Sequence, residues 1–184
     1  MKKDCIEYVD DDVEPVRTIL RLRAPALILG LVLGVALSFI TSRFEEVLAT
    51  DISVAFFIPF VVYIADAVGA QTQSIYGRDL KSGKAKFKDY LIKESALGII
   101  FGLLFGSIIF PVVLFWFGSI ELAFTVALSA LCAISSAPIL ALTITQIFEL
   151  LHKDPAASSG PIATVIQDAT SILIYGLVAS AIIL

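Results

Sequence analysis

Five stretches of mostly apolar residues, about 24 to 43, 52 to 76, 94 to 117, 122 to 150 and 161 to 184, fill most of this 184-residue chain. A bilayer core about 30 Å thick takes roughly 20 helical residues per crossing, and each stretch meets that length. In hydrocarbon every backbone N–H and C=O must be satisfied within the segment, so each stretch is expected to be a membrane-crossing helix. With 58% hydrophobic residues and a mean hydropathy of +0.94, the chain carries far more apolar surface than a soluble core of this length needs. The expected fold is therefore all-α and polytopic, a five-helix membrane domain over residues 21–184 behind an acidic leader at 1–20. The leader has no apolar core of the kind a cleaved signal peptide needs, so the first span is expected to remain in the mature protein.

Lys and Arg in short loops mark the cytoplasmic side. The leader carries Lys2, Lys3, Arg17, Arg21 and Arg23, and the segment from Arg78 to Lys93 holds six more basic residues. The loop after the first span has Arg43 alone, the one around Gly118 to Glu121 has none, and Lys153 follows the fourth span. This predicts a cytoplasmic N-terminus and an extracytoplasmic C-terminus, the arrangement an odd number of crossings requires. The formal charge of −4 comes largely from the leader (Asp4, Glu7, Asp10, Asp11, Asp12, Glu14) and reads as a solvated tail, with no nucleic-acid partner expected. Cys5 and Cys132 suggest neither a disulfide framework nor a metal cluster, and the single His152 argues against an imidazole-built zinc site.

Charged groups inside spans are costly and usually face a path, a partner or water. Asp168 lies in the last span, and Gly160, Thr164, Asp168, Ser171 and Tyr175 recur at spacings of four, four, three and four, one polar stripe on one helix. Asp66 sits in the second span, near Gly69, Gln71 and Gln73. Two buried carboxylates point to a cation; the alternative for Asp66 is a structural acid meeting Arg78 or a neighbouring helix. Glu149, with Thr145 and Gln146, stands near the end of the fourth span, either on the same path or as an interfacial cap. Gln71 either binds water or packs between helices.

Gly98, Gly102 and Gly106 repeat every fourth residue, as do Gly30 and Gly34, and small residues at this spacing let helices approach closely in lipid. Spacing alone leaves open whether that contact is within one chain or between two. Pro59, Pro111 and Pro138 each interrupt a span and free a backbone carbonyl. Residues 78 to 94 are expected to hold a short amphipathic surface segment after Gly83, with Phe87, Tyr90 and Leu91 towards the headgroups. No soluble domain, low-complexity tract or internal repeat is evident.

From Arg23 onward the chain resembles the MgtE-type magnesium channels and their solute-carrier relatives. Arg23, Pro25 and Leu27 are similar to the start of that family's first helix, and Phe44-Glu45 to the pair at its end. Pro59, Gly69, Gln71, Arg78, Leu80 and Gly83 match a signature of a proline, a Gly-Asn-x-Gly-x-Gln core and a downstream Arg-x-Leu-x-x-Gly. Where the family has Gly-Asn, this chain has Asp66-Ala67, so an amide is lost and a carboxylate appears one position earlier. The segment from Asp154 to Tyr175 resembles the family's Asp-Pro-Ala loop, Gly-Pro helix start and Thr-x-x-x-Asp pore element, with Asp168 where its ion-binding aspartate stands.

The resemblance implies a homodimer in the bilayer with a pore at the subunit interface and Mg2+ as the transported divalent cation. It also implies that two Asp168 carboxylates hold a largely hydrated ion, helped by Thr164 and the backbone near Gly160. Asp66 is a further metal candidate, and Gln71, Ser171, Tyr175, Glu149 and Asp154 are candidate pore-lining positions. The paired cytosolic sensing domains of many members have no counterpart in this sequence. Three alternatives remain: a Na+- or H+-coupled exchanger using Asp66, a half-transporter needing a different partner chain, and an intramembrane aspartyl protease. The last lacks its Tyr-Asp and Gly-x-Gly-Asp signatures, so the chain is not expected to be an enzyme.

Overall fold

In the computed structural model the described residues are 12–83, 85–151 and 155–184, the side chains of 155–159 excepted. Six helices follow one another: α1 (Val16–Ser42), α2 (Glu45–Thr50), α3 (Ser53–Lys81), α4 (Phe87–Phe117), α5 (Ile120–Leu150) and α6 (Pro155–Ile183). All but the one-turn-and-a-half α2 are long and apolar enough to cross a membrane, five spans as the sequence implies.

The helices run past the apolar stretches. α1 starts at Val16, inside what the sequence suggested was leader, where Thr18 and Ile19 N–H groups bond to the Pro15 carbonyl. α6 starts at Pro155, ahead of the Gly160-Pro161 pair expected to open it; proline suits a first turn, whose N–H groups lack helical acceptors. The expected surface segment after Gly83 is instead the first turns of α4. Its aromatic residues turn inward, with the Tyr90 ring 5.0 Å and the Phe87 ring 6.4 Å from the ring of buried Tyr76.

α5 is the centre of the bundle, packed by α3, α4 and α6, while α1 rests on α6. The α4–α5 hairpin turns on two residues. Gly118 takes the left-handed conformation (φ 70°) that ends α4, and the Ser119 hydroxyl caps α5 by accepting from the Leu122 N–H at 3.1 Å. The α4 glycines then meet α5 directly. A Cβ on Gly102 would stand 2.8 Å from the Leu131 carbonyl oxygen and 2.9 Å from Ser135 Oγ, and one on Gly106 3.0 Å from the Ala127 oxygen. Gly98 meets Pro138, so that proline is part of the same seam. The glycine repeat therefore serves packing within the chain. In α1 the pair divides: Gly30 faces Pro161 and Val165 of α6, whereas nothing stands against Gly34.

At the end of the bundle where α1 meets α2, Phe44 lies against Gly176 so closely that a Cβ there would fall 2.3 Å from the ring. The opposite end gathers the basic residues Arg17, Arg21, Arg23, Arg78, Lys81, Lys86, Lys88 and Lys93. Exposed apolar residues cover α1 and the outer side of α4, including Trp116 near the α4–α5 turn, as expected of surfaces facing acyl chains and headgroups.

Candidate functional site

Asp66 is the fourteenth residue of the 29-residue α3, and Asp168 the fourteenth of the 29-residue α6. The two helices run antiparallel and pack together, so their midpoints stand level and both carboxylates lie midway across the bundle. A contact one residue away fixes this register. Gln167 is buried and lies over Gly69, where a Cβ would come 3.6 Å from its Oε1, and its Nε2 donates to Ser171 Oγ at 3.3 Å. The two aspartates are close enough to feel each other's charge.

Neither carboxylate takes part in a hydrogen bond or an ion pair among the described residues. Arg78, the expected structural partner of Asp66, is exposed and pairs with Asp79 at 2.9 Å. It is also twelve residues further on, about 18 Å along the helix. Both aspartates are half-buried and border the open side of α3, a strip on which Phe56, Pro59, Tyr63, Ala67, Ala70, Gln71 and Ser74 are exposed. Like charges held together midway along membrane-length helices, without a cationic side chain paired to them among the described residues, favour a bound cation or proton over an empty site.

The α6 stripe divides at Asp168. Towards the basic end Thr164 is exposed and Gly160 is open, with nothing near a Cβ there, so a hydroxyl and approachable backbone sit one and two turns from the carboxylate. Towards the other end Ser171 and Tyr175 are buried. The Tyr175 hydroxyl donates to the Val54 carbonyl oxygen at 2.6 Å, joining α6 to α3, while Ser171 accepts from Gln167. These two side chains are turned into the protein, away from the open strip.

Gln71 lies on that strip, fully on the exposed side of α3. Glu149 belongs to a different group at the basic end, beside buried Tyr76, whose hydroxyl donates to Gln146 Oε1. The Tyr90 hydroxyl donates to Asp79 Oδ2 in the same region, and Thr72 Oγ1 lies 2.8 Å from Glu94 Oε2. Asp154 lies outside the described residues. Among those described, no three of His, Cys, Asp and Glu gather as a metal cluster, so a cation here would keep water in most of its positions.

Two participants escaped the sequence reading. Gln167 stands three residues after Thr164 and four before Ser171, within reach of the stripe by spacing, and its burial against Gly69 is what the structure adds. Glu94 marked the start of a span in the sequence; in the structure it is two turns inside α4, bonded to α3.

Residues 58–178 match the MgtE family, described as divalent cation transporters. The chain is 31% identical over 161 residues to a magnesium transporter MgtE of Enterococcus faecalis, covering 86% of this chain and 36% of that protein. To the magnesium transporter MgtE of Bacillus subtilis it is 32% identical over 164 residues, covering 88% and 36%. To that of Thermus thermophilus it is 26% identical over 152 residues, covering 81% and 34%. The chain thus spans about a third of the length of each of these relatives.

Proposed function

Since the chain belongs to the MgtE family of divalent cation transporters, we propose that it carries Mg2+ across the membrane at a site built on Asp168 and Asp66. The observation that carries this reading is the pair of level carboxylates midway along two adjacent helices, with no ion pair to either among the described residues. Mg2+ demands near-octahedral oxygen ligation and sheds water reluctantly, so one or two carboxylates plus retained waters are its usual setting. Thr164 and the backbone at Gly160 supply oxygen atoms to those waters on the way to the basic end, and Gln71 offers an amide on the open strip. An ion held mainly through water leaves by exchanging a few hydrogen bonds, which suits conduction.

The working unit in this reading is a homodimer whose second copy covers the open side of α3, with the N-terminus and basic end cytoplasmic. Asp66 favours a second reading, a Na+- or H+-coupled exchanger, because it puts a second carboxylate beside Asp168. The test is divalent cation uptake into proteoliposomes, first under a membrane potential alone and then under a sodium or proton gradient. Uptake driven by potential and lost in Asp168→Asn supports a channel-like path; uptake that requires a second gradient supports the exchanger. No uptake under any gradient would sink both and leave the half-transporter with a different partner.

A further inference from the structure

Four of the six hydroxyls of α5 have acceptors, and Ser135 donates across to the Gly98 carbonyl oxygen of α4 at 3.5 Å. Thr143, Thr145 and Ser136 donate back to their own helix, to the carbonyl oxygens of Ile139 at 2.7 Å, Ala141 at 2.8 Å and Ala133 at 2.9 Å. Thr125 and Ser129 do not: both residues are 0% exposed, and neither hydroxyl oxygen has a hydrogen-bond partner among the described residues. A hydroxyl removed from water and left unpaired is strongly disfavoured, and buried polar atoms without protein partners are the usual sites of ordered water.

The two residues are one turn apart on the same side of α5. Ala127, Leu131, Ser135 and Pro138 occupy the side that meets α4, and Ala137 the side that meets Gly69 of α3. At the level of these two residues, Phe124 and Leu128 are the exposed apolar positions. Thr125 and Ser129 fall on the remaining buried side, where α6 packs.

We propose that Thr125 and Ser129 hold an internal water between α5 and α6. One water bridges hydroxyls a helical turn apart, and the second lone pairs of the Glu121 and Thr125 carbonyl oxygens, each four residues earlier, give it further partners. At this level α6, the helix carrying Asp168, is joined to α5 through solvent, whereas glycines bring α4 onto α5 directly.

The test is a double-mutant cycle of thermal unfolding with Thr125→Val and Ser129→Ala, together with a structure at about 2 Å or better. A shared water makes the cycle non-additive: each variant lowers the unfolding midpoint, and the double variant falls hardly further than either alone. Density lies within about 3.2 Å of both oxygens and disappears from either variant. Thr125→Ser keeps the hydroxyl and the density, which separates loss of the water from intolerance of any change at that position. The proposal is overturned if the midpoints rise, if the two effects simply add, or if the hydroxyls are found on the Glu121 and Thr125 carbonyl oxygens with no density between them.

Discussion

In the proposed function the chemistry turns on Asp168 and Asp66, and the two test differently. Replacing Asp168 with Asn keeps its volume and removes a charge from the proposed ion site. A charged hydrogen-bonded ligand is worth about 1.5–3 kcal/mol, so divalent uptake by Asp168→Asn is expected to fall about tenfold or more while the helical circular dichroism is unchanged. Asp66→Asn brings the chain nearer to its family, which places an amide one position later. Potential-driven uptake is expected to survive it, and any dependence on a sodium or proton gradient to vanish. Uptake assays with each gradient imposed singly decide this, and an Asp66→Asn protein as inactive as Asp168→Asn would make Asp66 an indispensable ligand. Both residues were legible in the sequence because a carboxylate in hydrocarbon is too costly to be incidental. Ser171 and Tyr175 read as members of the same stripe because periodicity reports which side of a helix a residue is on, and says nothing of whether a neighbour covers that side at a given height. α3 covers it above Asp168, where Tyr175 bonds to Val54, and leaves it open below, at Thr164.

Among the elements, the glycine contacts set the bundle's geometry. Gly102→Ala puts a methyl 2.8 Å from the Leu131 carbonyl oxygen, a backbone atom that moves only with its helix. Overpacking of this kind typically costs about 1–3 kcal/mol, and the expected result is a lower unfolding midpoint in detergent. Gly34→Ala, which meets nothing within 4 Å, is expected to leave the midpoint of the isolated protein unchanged. Gly176→Ala collides with the Phe44 ring, a movable side chain, so its loss of stability is expected to be recovered in part by Phe44→Leu. Independent, additive effects in that cycle would mean the ring and the glycine do not meet. The five spans were legible from apolar length, and their ends were not. Polar and basic residues such as Arg17, Arg78 and Lys88 continue a helix once it is nucleated, so α1, α3 and α4 extend beyond the hydrocarbon-length stretches. The glycine spacing announced close packing, but only the fold distinguishes Gly30, set against α6, from Gly34, set against nothing.

For the molecule as a whole, the proposed homodimer follows from what one copy leaves uncovered. Gln71, Thr164 and the edges of Asp66 and Asp168 would meet acyl chains in a lone protomer, an expensive arrangement that a second copy across the open side of α3 relieves. Charge then limits stoichiometry. Two aspartates from one chain neutralise one Mg2+, so a dimer with four level carboxylates is expected to bind one ion per chain at saturation. A dimer relying on Asp168 alone has two carboxylates and accommodates one ion per two chains. Equilibrium dialysis against Mg2+, with the oligomer's mass measured by light scattering in the same detergent, separates these cases. The expected values are one ion per chain for the natural sequence and about half that for Asp66→Asn, without a change in oligomer mass. One ion per two chains in both proteins would remove Asp66 from the ion's ligands and leave it a helix-positioning acid. A monomeric mass with full binding would place the site within a single copy and remove the need for a dimer.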